Sequence, residues 1–146
     1  MKVVFGYFLA VLATYSLGAL FVSQGNIAEV VGMGFEITMS HRIDAVIHDL
    51  THMYDLYLPI VAVGMLIGLS VAALIINYVI DLRLIGYVSA GFVALVAIHV
   101  LIKATLGLSG IAPTREIVGL LMQGLAGAAG GYVFHYVTLQ HQLRSA

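Results

Sequence analysis

Fifteen residues, HRIDAVIHDLTHMYD at 41 to 55, carry three of the six histidines and three of the seven acidic residues of a 146-residue chain. On an α-helix advancing about 100° per residue, His41, Asp44, His48, His52 and Asp55 fall within an arc of roughly 80°. Ile43, Val46, Ile47, Leu50, Met53, Tyr54 and Tyr57 take the opposite side. His48 and His52 are one turn apart, so both imidazoles project from one face within reach of a single ion. Asp44 and Asp55 then serve as oxygen ligands, or orient the imidazoles from behind. Nitrogen and oxygen donors without sulfur suit a divalent transition metal such as zinc, nickel, copper or manganese. The same imidazoles beside carboxylates can instead carry protons. The plain alternative is the wet face of an amphipathic helix, which needs polar residues for solvation alone.

The string HDLTH resembles the H-E-x-x-H of zinc peptidases, but Asp49 stands where their Glu acts as base and is one methylene shorter. It also resembles the H-x-x-x-H boxes of membrane desaturases, a family that needs more histidines than this chain has. Neither assignment is adopted. Cysteine is absent, which excludes disulfides, thiolate metal sites and cysteine nucleophiles.

The elements around this stretch are apolar. Hydrophobic residues make up 62% of the chain and charged residues 9%, against roughly 25% charged in soluble domains. Four apolar runs are long enough to cross a hydrocarbon core of about 30 Å. They lie at about 3–22, 59–80, 84–106 and 117–139. The first is too long for a cleavable signal core and SQGN after it offers no small-x-small cleavage site, so it reads as a permanent span. The expected fold is an all-α integral membrane protein: one domain, 1–146, of four transmembrane helices in a tight bundle. One amphipathic helix, 41–57, lies on the outer interface, with Tyr54 and Tyr57 in the aromatic belt. Pro113 and Thr114 are expected to start the fourth helix, with Thr114 as N-cap and Glu116 in its first turn.

Lys2, Arg83 and Arg144 would share one side of a four-span protein. The positive-inside rule makes that side the cytoplasm, giving a multi-pass protein of the cytoplasmic (inner) membrane with both termini inside. The connection 23–58 holds one arginine against five of the seven acids and faces outward; in the last connection Arg115, a single charge beside Glu116, counts against this assignment. Six Lys and Arg against seven Asp and Glu leave no basic stripe for nucleic acid.

Small residues recur at every fourth position or close to it: Gly6, Ala10, Thr14 and Gly18; Gly64, Gly68 and Ala72; Gly86, Ala90 and Ala94; Gly119, Gly127 and Gly131. In lipid such ridges let backbones approach and supply dispersion contacts. They suit packing within one chain and packing between copies equally well.

Polar residues inside the spans are the remaining candidates: His99 and Lys103 in the third, Gln123 and His135 in the fourth, with Glu116 at the fourth helix start. His99 and His135 are expected at depths differing by roughly 15–20 Å, too far apart to share a haem within one chain. His141 stands alone. If a site exists, His99, Lys103, Glu116 and Gln123 lie on the same side of the membrane as the outer histidines, and that is where it is expected. Four functions follow. The first is a binding, sensing or accessory subunit whose outer His/Asp face handles a metal ion or protons, working in the bilayer alone, as a homo-oligomer or in a larger membrane complex. The second is an oligomeric transporter or channel, the third a metal-dependent membrane enzyme acting on lipid or quinone, and the fourth a purely structural membrane protein indifferent to its histidine face.

Overall fold

A computed structural model describes the backbone of residues 2–107 and 112–145, with side chains except at 80, 106, 112, 113 and 140–145. His141 and Arg144 fall outside the described side chains. Among the described residues there are five α-helices: α1 (Lys2–Gly32), α2 (Met39–His52), α3 (Tyr57–Ile76), α4 (Arg83–Leu106) and α5 (Ile117–Ser145). All but α2 are long and apolar enough to cross a membrane. Only 22% to 39% of the residues in their apolar stretches are buried, so most of that apolar surface faces outward. A surface of this kind, with Leu66, Ile67, Leu74 and Ile75 all more than half exposed, suits lipid and not water.

The helices pack in the order α1, α3, α4, α5, each antiparallel to its neighbours, and α5 closes the ring through extensive interfaces with both α4 and α1. The small residues make these contacts. On α1, Gly6, Ala10, Thr14 and Gly18 are all buried. A Cβ on Gly130 of α5 would come within 2.8 Å of the Ala10 carbonyl oxygen. Gly68 of α3 sits against Ala90 and Ala94 of α4, where an added Cβ would approach the Ala90 carbonyl oxygen to 3.0 Å. Between α4 and α5 the backbones touch directly at Gly91 and Gly127, and Gly131 lies against the Tyr87 backbone. Gly91, outside the expected ridges, is the α4 residue that makes this contact; Gly86, Ala90 and Ala94 face α3 instead. The ridges of α1, α3 and α4 are therefore used inside the chain.

Several boundaries differ from expectation. Helix α1 runs 31 residues, about 46 Å at ~1.5 Å per residue, well past residue 22. Gln24, Ala28 and Glu29 are compatible with helix, and the chain turns only at Gly34, whose φ of 91° favours glycine. Helix α2 starts at Met39, where Thr38 caps it, and ends at His52. The expected helix to residue 57 is thus cut short: 53–56 form a turn, and Tyr57 opens α3, with Pro59 in the first turn where its missing N–H does no harm. Helix α3 ends at Ile76, four residues before the expected 80, and residues 80–82 form a single 3-10 turn before α4. Thr114 is not the N-cap of α5. Ala112–Arg115 form another 3-10 turn, and the first bond of the helix runs from the Leu120 N–H to the Glu116 carbonyl, so Glu116 sits at the cap itself.

Candidate functional site

Helix α2 is fastened to α1. The Thr38 hydroxyl accepts from the His41 N–H, Arg42 donates to the Gln24 side chain at 3.1 Å, and the Tyr15 hydroxyl donates to the Leu50 carbonyl at 2.8 Å. Leu50 and Met53 pack against the core, while Ile43 and Ile47 stay about half exposed. No residue of α2 is fully buried, so its polar face is free to solvent.

On that face the rings of His48 and His52 stack, with centroids 4.1 Å apart and planes 10° from parallel. The hydrogen bonds fix the tautomers. The His52 Nδ1 lies 2.9 Å from the His48 carbonyl, which can only accept, so Nδ1 carries the proton. Its second neighbour at 2.9 Å, the Thr51 hydroxyl, already gives its own proton to the Ile47 carbonyl and accepts as well. The His48 Nδ1 points to the Asp49 carboxylate at 3.4 Å, a longer contact of the same sense. In their neutral forms both rings then keep an acceptor lone pair at Nε2, each ring held from behind at Nδ1, as is common for metal-binding histidines.

The other expected ligands do not join them. His41 turns to the Thr38 hydroxyl at 3.2 Å, and Asp55 lies in the turn beyond the helix. Asp44 is exposed on the helix surface. Among the described residues no three His, Asp or Glu side chains are grouped as a ready metal centre.

Beneath α2, three spans are joined by polar side chains. The buried Tyr57 hydroxyl of α3 donates to the Gln123 Oε1 of α5, and the Gln123 Nε2 donates to the Gly18 carbonyl of α1 at 3.2 Å. Tyr57 is 2% exposed and packs against Tyr15, so it belongs to the core and not to an interfacial belt. A Cβ on Gly18 would lie 2.9 Å from the Tyr57 ring, which explains the glycine there. The sequence pointed to Gln123 but not to its partners. Tyr57 just before a Pro-started span, and the Gly18 ridge, were the available signals.

His99 of α4 lies beside Tyr57, with ring centroids 6.3 Å apart. Its Nδ1 donates to the Leu95 carbonyl at 2.7 Å, and its buried Nε2 has no partner. His99, Lys103 and Glu116 border one cleft of about 240 Å³ between α4 and the start of α5. Lys103 and Glu116 are exposed at this cleft and do not pair with one another. Glu116 also borders a larger cleft of about 510 Å³ between α1 and α5, which holds Gln24 and Glu29. His135 sits at the opposite end of the bundle, near Tyr87 and in a cleft with Asp81 and Arg83. Arg83 there donates to the Thr138 hydroxyl at 2.8 Å and lies over the Tyr87 ring. The histidines of the two long apolar helices α4 and α5 thus occupy opposite ends of the bundle, as their spacing implied, and His99 joins the α2 end with Lys103, Glu116 and Gln123.

No protein-family model, curated protein or solved structure matches this chain.

Proposed function

We propose that the chain is a small binding or sensing subunit of a cytoplasmic membrane, termini inside, whose outward α2 face takes a divalent transition metal ion between His48 and His52. The stacked pair with both Nε2 lone pairs bare carries this reading. Two nitrogens on one tetrahedral ion with bonds of ~2.0–2.1 Å stand about 3.3 Å apart with their lone pairs roughly 110° to one another, so the two exposed rings, now nearly parallel with centroids 4.1 Å apart, take one ion by rotating out of the stack. Structural zinc sites use four protein ligands and catalytic ones three. Two protein ligands leave the remaining positions to water or a partner, which suits reversible sensing better than structural closure or hydrolysis. The transporter reading has less support, because the small-residue ridges of α1, α3 and α4 pack within the chain.

The test is metal content. Protein in mild detergent is dialysed against micromolar zinc, copper, nickel or manganese, and bound metal is counted by elemental analysis beside the His48→Ala/His52→Ala variant. One ion per chain, lost in the variant, supports the proposal. Equal retention by both, or none by either, overturns it.

A further inference from the structure

The cleft between α4 and α5 is bordered by His99, Lys103, Arg115, Glu116, Ile117 and Leu120, residues separate from the His48/His52 pair. His99 is 6% exposed, so its ring is held almost entirely by protein. Because the Leu95 carbonyl can only accept, His99 Nδ1 bears the proton and the neutral ring presents a bare lone pair at Nε2. That nitrogen has no hydrogen-bond partner and no exposed surface of its own, so a donor in the cleft reaches it only as the lining side chains give way. A buried polar atom of this kind is costly unless something satisfies it, and only a donor can.

The chemistry of the walls narrows the donor. Val100, Ile117 and Leu120 make the lining apolar, and Ile117 is 76% exposed where lipid would reach it. An anionic head would set acceptor against acceptor at Nε2. A polyhydroxyl head would leave most of its hydroxyls among apolar side chains. A volume of about 240 Å³ is below the roughly 300–1,000 Å³ of a site for a whole drug-sized molecule, so a ring enters and a tail stays outside. At the mouth, Lys103 and Arg115 offer donors to oxygens on the far side of such a ring. We propose that this cleft binds the ring of a membrane-soluble phenol or hydroquinone, with its O–H donating to His99 Nε2 and its tail along the lipid face of α4 and α5.

The test uses the full chain in phosphatidylcholine nanodiscs with 2-decylhydroquinone, kept reduced, and with its dimethyl ether. Partition into loaded and empty discs measures binding, and the ¹⁵N resonance of His99 Nε2 reports the hydrogen bond. Saturable binding of the hydroquinone, at least tenfold weaker for the ether, with a matching Nε2 shift, is expected. His99→Phe keeps a ring without an acceptor, and Leu120→Trp fills the cleft while leaving His99 in place; each should weaken binding about tenfold. Equal binding of the ether, an unmoved Nε2 resonance, or full binding by Leu120→Trp would overturn the proposal. An Nε2 resonance already shifted in empty discs and indifferent to the probe identifies water as the partner and overturns it too. If His99→Phe fails to fold, the ether comparison and Leu120→Trp still decide. The metal test above is independent, since its variant leaves this cleft intact.

Discussion

The Tyr15 hydroxyl of α1 donates a 2.8 Å hydrogen bond to the Leu50 carbonyl, one of the last carbonyls of α2, which a helix end leaves without a partner of its own. A transmembrane-type helix thereby caps the helix that runs back along it from Gln24 to Tyr15. Tyr15→Phe keeps the ring packing on Tyr57 and removes only this donor. Its expected cost is about 1 kcal/mol, a roughly fivefold faster hydrogen exchange in the last turn of α2, with the four long helices unchanged. Unaltered exchange there would show that α2 is held by its apolar contacts alone.

The Tyr57, Gln123 and Gly18 linkage predicts non-additive stability. Gln123→Leu strands the Tyr57 hydroxyl in the core and should cost about 1–3 kcal/mol. Tyr57→Phe should cost less, and the double variant should fall short of the sum by about 1 kcal/mol. Unfolding in mixed detergent micelles measures all three. Additive losses would mean the two side chains do not share a bond.

Glycines separate into two groups. Gly127→Ala drives a methyl into the Gly91 backbone and should destabilise by at least ~1–3 kcal/mol, because neither backbone can give way. Gly32→Ala meets no atom within 4 Å and lies at the end of α1, so it should be neutral or stabilise by up to ~1 kcal/mol. Thermal unfolding of the two variants in detergent checks the contrast.

Because the chain has no cysteine, single-cysteine variants report topology without background. Glu36→Cys lies in the exposed link before α2, and Tyr78→Cys, replacing a side chain 90% exposed, lies in the link after α3. In intact cells a membrane-impermeant maleimide should label the first and spare the second until the cells are opened. The reverse pattern would place α2 in the cytoplasm.

Four long apolar helices and one amphipathic helix were legible because hydropathy and the 3.6-residue period act locally. The helix ends were less so: Thr114, expected to cap the last helix, falls in a 3-10 turn, and the helix opens at Ile117. Nothing polar forces α1 to stop at Val22, since Gln24 and Glu29 are at home in a helix that leaves the bilayer. At the candidate site, His48 and His52 met as their spacing required. His41 and Asp55 did not, because Thr38 captured one and the turn before Tyr57 displaced the other. The Gln123 partners were hidden for a different reason: pairing across 66 and 105 positions depends on how the helices are arranged, which no local period encodes.

The same long-range pairing bears on how the protein is made. Gly18 and Tyr57 emerge from the ribosome long before Gln123, which arrives with the final span. Until then the first three long helices, with the Tyr7 hydroxyl on the Ala62 carbonyl already joining α1 to α3, lack the Gln123 side chain that bridges Gly18 to Tyr57 and the helix through which α1 and α4 chiefly meet. α5 is thus the keystone of biogenesis, and a nascent chain arrested before it would offer the quality-control proteases of the membrane a loose, unclosed set of helices.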